Sequence, residues 1–370
     1  MKFTISRKDI IDVLSKIQGL TGHKTSLSIT EAVLITTLDD RIALTVTDLE
    51  TGFEGTYPAE IESGGSIAIN ARKIYEIVKN FPVDNIVIEE TENNWVTIGD
   101  GQVYYNIVCM LSDDFPNSPG IKDIGFLNID ANSFKIMINR SLVIGDAGDP
   151  RAHKRGVLFE IVSNIAKMVS TDGGRLSVVS CAFGSEIPPN LITPAKVLIP
   201  KKALSEVAKF LEEGTVQVGI DANNFIVKKD REIFIVRLLE GEFPDYNEIL
   251  TKSEDNKEIS FDRKQFLMML KRMSILSSDD YKSTVFNFTE DKLTIINTNP
   301  DIGESREEMA IEYNDDPIEL AFNSKYFIEA LQVINSESVN VRIGSEVTPC
   351  LVEGVDDKSF LSAIMPMNRN

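Results

Sequence analysis

Five adjacent aspartate pairs are the first candidates for chemistry in this sequence: Asp39-Asp40, Asp113-Asp114, Asp279-Asp280, Asp315-Asp316 and Asp356-Asp357. Paired carboxylates can hold magnesium or manganese for phosphodiester hydrolysis. These pairs read instead as turns, where aspartate hydrogen-bonds its own backbone. With 57 Asp and Glu in 370 residues, several such pairs arise without function. A metal-dependent phosphodiesterase is therefore the weaker reading. Cys109, Cys181 and Cys350 have no CxxC spacing and no neighbouring histidine, so they read as reduced core thiols. His23 and His153 belong to no HExxH-like arrangement. No catalytic residue, metal site or cofactor is predicted.

The second candidates are cations, and their placement is patterned. Arg7, Lys135, Arg140, Arg263, Lys264, Lys271 and Arg272 all fall in segments of helical period, each preceded by a short strand and a polar residue. Six such segments occur: 6–17, 71–80, 132–142, 201–211, 262–273 and 324–334. Apolar residues recur in them at helical spacing, as in Ile10, Val13, Leu14 and Ile17, which gives each helix one face to lay on a sheet. Together the six hold sixteen Lys and Arg against six Asp and Glu, whereas the rest of the chain holds 22 against 51. Helix propensity favours Glu as much as Lys and cannot produce this sign. The formal net charge of -19 argues against nucleic acid only if charge is spread evenly. A positive helical face within an acidic background instead suits a polyanion approached from one side. No aromatic stacking platform or recognition helix stands out, so the expected contacts are phosphate contacts: sequence-independent, salt-dependent and able to slide.

The elements that carry these cations repeat. "DDFPN" at Asp113 to Asn117 returns as "GEFPD" at Gly241 to Asp245, with a shorter echo "IMPM" at Ile364 to Met367. "VTDLET" at Val46 to Thr51 matches "STDGGRL" at Ser170 to Leu176 and, more weakly, "NTNPDI" at Asn297 to Ile302. Three copies in one order predict three domains of one α+β fold. Each holds two strand-helix-strands units, with helices on one face of antiparallel sheets. Boundaries are expected at 1–124, 125–252 and 253–370, near "NSPGIKDIG" and "TKSEDNKE". No apolar run approaches membrane-spanning length, and "MKFTISRKDI" has no signal-like apolar core, which predicts a cytoplasmic protein.

At this point "MKFTISRKDI", "TDLE" at Thr47 to Glu50, "TDGGRL" at Thr171 to Leu176, "EFPDY" at Glu242 to Tyr246 and "MPM" at Met365 to Met367 resemble, in order and along the whole chain, the bacterial sliding clamp family, the beta subunit of DNA polymerase III. The resemblance implies a non-catalytic processivity factor. It implies a head-to-tail homodimer forming a six-domain ring around duplex DNA, with partners that include the replicative polymerase, a clamp loader and other clamp-binding proteins. It implies a peptide pocket at Thr171, Gly173, Gly174, Arg175, Leu176, Pro244, Ile249, Ala363, Met365, Pro366 and Met367, whose Met and Pro residues give a deformable apolar surface. For DNA it adds Lys24, Arg72, Lys73, Arg151, Lys201 and Lys202. For the subunit contact it implies Tyr105 and Ile107 against Ile275 and Leu276. Gly174 stands where the best-known members carry a histidine, and Asn368 follows "MPM" where a basic residue is frequent; both predict an altered peptide preference. Ala152 and His153 replace family aromatics, which predicts weaker single-strand contacts. A peptide-binding scaffold of the same fold that does not encircle DNA is the remaining alternative.

Overall fold

In a computed structural model of the chain, the described residues are 1–21, 28–116, 124–145, 150–184, 188, 191, 196–221, 223–251 and 256–367. The predicted helices are present as α1 (Arg7–Thr21), α2 (Ala71–Lys79), α3 (Ala131–Ser141), α5 (Lys201–Phe210), α7 (Arg263–Met273) and α8 (Ser324–Val333). Two short additions are α4 (Ala152–Arg155) and α6 (Tyr246–Thr251). The polar turn expected between strand and helix is compressed to one capping residue. Asn70 Oδ1 accepts from Lys73 N, Asp130 Oδ1 from Ser133 N, Asp262 Oδ1 from Gln265 N and Asn323 Oδ1 from Lys325 N. Each cap satisfies one of the amides that a helix start leaves unpaired, so the helix can begin directly off the strand.

The described chain packs as two compact units. One comprises Met1–Lys135 and Lys202–Leu238 with part of the intervening chain; the other comprises Ile136–Ala182, Lys196–Lys201 and the chain from Leu239 onwards. The second sequence repeat contributes to both, because its strands enter two different sheets. In the first unit, Phe126–Asp130, Thr215–Ile220, Asn224–Lys229 and Glu232–Arg237 continue into Thr51–Pro58, Arg41–Thr47, Ala32–Thr37 and Ser66–Asn70 as one eight-stranded antiparallel sheet. A five-stranded sheet in the same unit ends on Val103–Val108. In the second unit, Lys196–Pro200, Gly156–Val162, Ile165–Thr171 and Arg175–Ala182 continue into Phe360–Ile364, Cys350–Gly354, Ser338–Ile343 and Lys257–Asp262. Its four-stranded sheet ends on Gly303–Ala310. The expected boundary between 252 and 253 lies outside the described residues.

Period-two burial holds the sheets in register: Ile42, Leu44 and Val46 are fully buried along one strand while their neighbours are not. The helices present their apolar stripes to this surface, with Ile10, Val13, Leu14 and Ile17 of α1 and Phe266, Met269, Leu270 and Met273 of α7 buried. Aromatic contacts add shape specificity, as where Phe53, Phe210 and Phe234 meet with ring centroids 5.8–6.3 Å apart.

Candidate functional site

The Thr171–Leu176 turn is built by its own side chains. Thr171 Oγ1 donates to Arg175 O at 2.7 Å and accepts from Gly173 N at 3.1 Å, while Asp172 Oδ1 accepts from Gly174 N and Arg175 N. Gly173 has φ +95°, a left-handed conformation that favours glycine. Beyond the turn, Arg175 pairs with Ile364 and Leu176 with Ala363 across antiparallel strands, and Met365 N donates to Gly174 O at 2.9 Å. Pairing therefore delivers the "MPM" phrase directly beside the "TDGGRL" phrase.

Successive strand residues face opposite ways, so this pairing creates two different surfaces. On one side, Leu176 and Ala363 join Leu158, Val169, Val178, Leu198, Leu351, Phe243 and Tyr246 in one apolar cluster, with Ile249 packed against it. Phe243 of the "EFPDY" phrase is the buried plug, leaving Pro244 exposed next to it. Tyr246 Oη donates to Glu160 at 3.0 Å, and burial together with that carboxylate pushes its phenol pKa up. Met365 and Pro366 stay half-buried and Met367 exposed, a rim of deformable apolar groups above this floor.

On the other side, Arg175 is 8% exposed and held by Asp172 Oδ2 at 3.0 Å and Glu329 Oε2 at 2.5 Å, with its guanidinium 4.3 Å from the Tyr326 ring centroid. A cavity of about 840 Å³ opens here, lined by Asp172, Arg175, Ser277, Lys282, Lys325, Tyr326 and Glu329 among others. Of the pocket residues expected from sequence, only Arg175 lines it. Tyr326, Asp172 and Glu329 were missed. Their signal was faint, since Tyr326 and Glu329 lie on a helix 150 residues from the turn. A Cβ at Gly174 would stand 3.3 Å from Tyr326 Cε2, so the glycine lets this ring approach the turn.

The predicted DNA contacts divide. Arg72, Lys73, Lys202, Lys264, Lys271, Arg272 and Arg151 are exposed. Arg72 and Lys73 share Glu76 within α2, and Arg272 makes a two-point pair with Glu307 that holds this carboxyl below its usual range. Two expectations are corrected. Lys201 is 3% exposed, and its ammonium donates to Lys154 O at 2.7 Å and Gly145 O at 3.2 Å. Arg140 lies in a buried pair with Asp357. Desolvated cations already bonded to the protein are not available to phosphate. Three more act mainly as helix caps. Arg7 donates to Val78 O and Lys79 O at the end of α2, Lys135 to Leu211 O just past α5, and Arg263 to Leu331 O in α8 and to Ser336 O. A cation at a helix C-terminus satisfies orphan carbonyls and complements the dipole. The repeated cation thus has a structural cause that charge counting cannot separate from a ligand contact. Lys24, His23 and Asn368 lie outside the described residues.

The expected contact residues sit at sheet and helix ends. Tyr105 is 41% exposed on the edge strand Val103–Val108, where Ile107 is half-buried; Ile275 is 75% exposed just past α7, with Leu276 half-buried beside it. Among the described residues no group of His, Cys, Asp and Glu is placed to hold a metal. No described helix is long and apolar enough to cross a membrane.

Family models of the DNA polymerase III beta subunit match the chain in order: the N-terminal domain at 1–119, the central domain at 128–245 and the C-terminal domain at 249–368. The chain belongs to the DNA polymerase III beta subunit family. It has the three-domain clamp fold of that family and the sliding clamp role. It is 28% identical over 368 residues to the beta sliding clamp of Chlamydia pneumoniae, covering 99% of each chain. The crystal structure of the DNA polymerase III subunit beta from Pseudomonas aeruginosa matches with a TM-score of 0.92 at 27% identity, over 100% of both chains. A sliding clamp of the same organism bound to griselimycin matches with a TM-score of 0.91, also at 27% identity and over 100% of both chains.

Proposed function

We propose that two copies of this chain join head to tail into a closed six-domain ring that encircles duplex DNA and tethers the replicative polymerase to it. The observation that carries this reading is a rule of strand joining. The last strand of the second repeat, Glu232–Arg237, pairs antiparallel with Thr51–Pro58, the strand that closes the first half of the preceding repeat. The last strand of the third repeat, Phe360–Ile364, pairs likewise with Arg175–Ala182 in the second. Applied once more, the rule leaves two strands over: Val103–Val108, which ends the first repeat's second half, and Gly303–Ala310, which ends the third repeat's first half. Each has a strand on one side only among the described residues. Each is the complement of the other on a second copy. An uncharged edge such as Val-Tyr-Tyr-Asn-Ile-Val, with Tyr104 and Val108 60% and 62% exposed, favours pairing with another chain.

In this reading the domains are 1–124, 125–252 and 253–370. The exposed cations of α2, α5 and α7 face phosphates without sequence readout. The apolar rim at Pro244 and Met365 to Met367, over a floor that includes Leu176 and Ile249, accepts peptide segments of the polymerase, the clamp loader and other clamp-binding proteins. The chain is a tether rather than an enzyme, acting with DNA in the cytoplasm. Sedimentation analysis together with loading onto nicked circular DNA tests the ring. A mass of two chains and loss of the protein when the circle is linearised are expected. A stable monomer, or retention indifferent to linearisation, would overturn the reading.

A further inference from the structure

The first and third repeats align residue by residue through their hydrogen-bond registers. Asn70 and Asn323 cap corresponding helices; Leu34 pairs with Ala68 and Thr45, as Val285 does with Ala321 and Ile296. In this frame Val33 corresponds to Thr284, Val46 to Asn297 and Asp48 to Asn299. The buried faces of α1 and α7 align in step, which sets Gly19 against Ile275 and Leu20 against Leu276.

The two repeats part company at these positions. In the first, Val33 and Val46 are fully buried, and α1 runs on to Thr21 with Leu20 buried. In the third, the corresponding Thr284 and Asn297 are polar yet fully buried. Neither Thr284 Oγ1 nor Asn297 Oδ1 has a hydrogen-bond partner among the described residues. Unpaired buried acceptors weaken a fold, so a sequence that carries them in place of a valine pair is set by something other than stability. What they accompany is visible. Asn297 Nδ2 donates to Met273 O at 2.8 Å and Ser277 Oγ at 2.7 Å, and Asn299 Nδ2 to Leu276 O at 2.8 Å. These bonds take the carbonyls at the end of α7, which stops at Met273, and hold Ser274–Leu276 in a tight 3-10 turn. Ile275 is thereby turned outward, 75% exposed.

We propose that Asn297 and Asn299 are positioning residues that hold the Ser274–Leu276 turn out as a contact surface for a second copy of this chain. The occupant follows from place: the turn adjoins the edge strand Gly303–Ala310, with Ser305 Oγ 3.5 Å from Met273 O. A patch continuous with an edge that awaits another copy is covered when that copy docks. The inference rests on the ring reading above.

Asn297→Val restores the residue type of the first repeat and removes only the amide. The expected result is a folded protein by circular dichroism and thermal melting whose self-association in sedimentation is at least tenfold weaker. Ile275→Ser, which alters no buried group, should weaken it comparably. The double variant should be no weaker than the stronger single variant, because both act through one turn. Asn297→Val that associates like wild type overturns the inference, as do independent, multiplying losses. If Asn297→Val does not fold, Asn299→Ala, which removes the bond to Leu276 O and the one its Oδ1 accepts from Asp301 N, decides by the same criteria. A monomeric wild-type chain overturns the ring and this inference together, whereas a dimeric wild type indifferent to these changes overturns this inference alone.

Discussion

Arg140 grips Asp357 at two points, Nη2 to Oδ2 at 2.7 Å and Nη1 to Oδ1 at 3.2 Å, tying α3 to the turn before Phe360–Ile364. Ser359 Oγ and Asn335 N also donate to this carboxylate, and the two charged side chains are only 11% and 10% exposed. Breaking a buried pair by removing one partner strands the other charge. Arg140→Ala should therefore cost about 3 kcal/mol in urea unfolding at neutral pH. Burial works to raise the pKa of Asp357, but the bonds from Ser359, Asn335 and Arg140 outweigh it and hold the group below the usual carboxylate range. A depressed folded pKa means that stability is fully present above the unfolded value near about 3.9 and is lost as pH falls through the lower folded one. In Arg140→Ala one of the groups that oppose burial is gone, so the deficit should be largest at neutral pH and shrink as pH falls through the range where the wild type protonates Asp357. A deficit that stays constant with pH would count against the pair as a fastener.

The partition of cations predicts which substitutions touch DNA. Arg72→Glu, Lys202→Glu and Lys271→Glu change exposed groups and should each weaken retention while leaving thermal stability within a few degrees. Each lost phosphate contact lowers the salt slope by roughly one. Lys201→Met should do the reverse, lowering the melting temperature because the Lys154 and Gly145 carbonyls lose their donor. Titrating duplex DNA at several salt concentrations separates the classes; equal effects at Lys201 and Lys202 would remove the distinction.

The fold was legible where physics is local. Helical period, alternating strands and polar caps are written in adjacent residues, so six helices and a threefold phrase could be read directly. Of the residues expected at the pocket, Leu176, Ala363 and Ile249 meet in one apolar cluster, while the lining of the neighbouring cavity by Tyr326 and Glu329 depends on how a distant helix lands beside Arg175. Charge counting could not see the buried bonds of Arg140, nor the helix-capping bonds of Arg7, Lys135 and Arg263, and the resemblance could not see those of Lys201, for one reason. Cations that close helix ends or buried pairs recur in every repeat just as ligand contacts would, and composition carries no record of burial.

Met365 tests the apolar rim. Its side chain is half-buried, and its amide rather than its thioether ties it to Gly174, so Met365→Ala should leave the strand pairing intact. Truncating a buried apolar anchor at an interface typically costs one to a few kcal/mol, so a polymerase-derived peptide should bind about tenfold more weakly. Fluorescence anisotropy with one such peptide decides it, and unchanged affinity would remove Met365 from the contact surface. Gly174→Ala provides the complementary probe. The added Cβ, 3.3 Å from Tyr326, must displace that ring from the turn, so peptide affinity should shift without loss of fold.

Tyr57 closes the joint between the first two repeats by donating to Glu232 Oε1 at 2.6 Å, while Lys16 reaches Oε2 at 3.3 Å and Arg231 lies 4.6 Å from the ring centroid. The phenol approaches so closely because position 55 is glycine: a Cβ there would stand 2.6 Å from Tyr57 Oη. Burial first, then the Glu232 carboxylate, pushes the Tyr57 pKa well above its ordinary value. A group neutral in the fold but free to ionise when unfolded contributes stability below the unfolded pKa, near about 10, and loses it as pH rises beyond that. Tyr57→Phe deprives a buried carboxylate of a donor and should cost about 1–3 kcal/mol at pH 7. The deficit should shrink above pH 10, where the wild type begins to lose what the variant never had. Urea unfolding of both proteins at pH 7 and pH 11 measures the difference, and a deficit that stays constant would mean that Tyr57 does not couple the fold to its own ionisation.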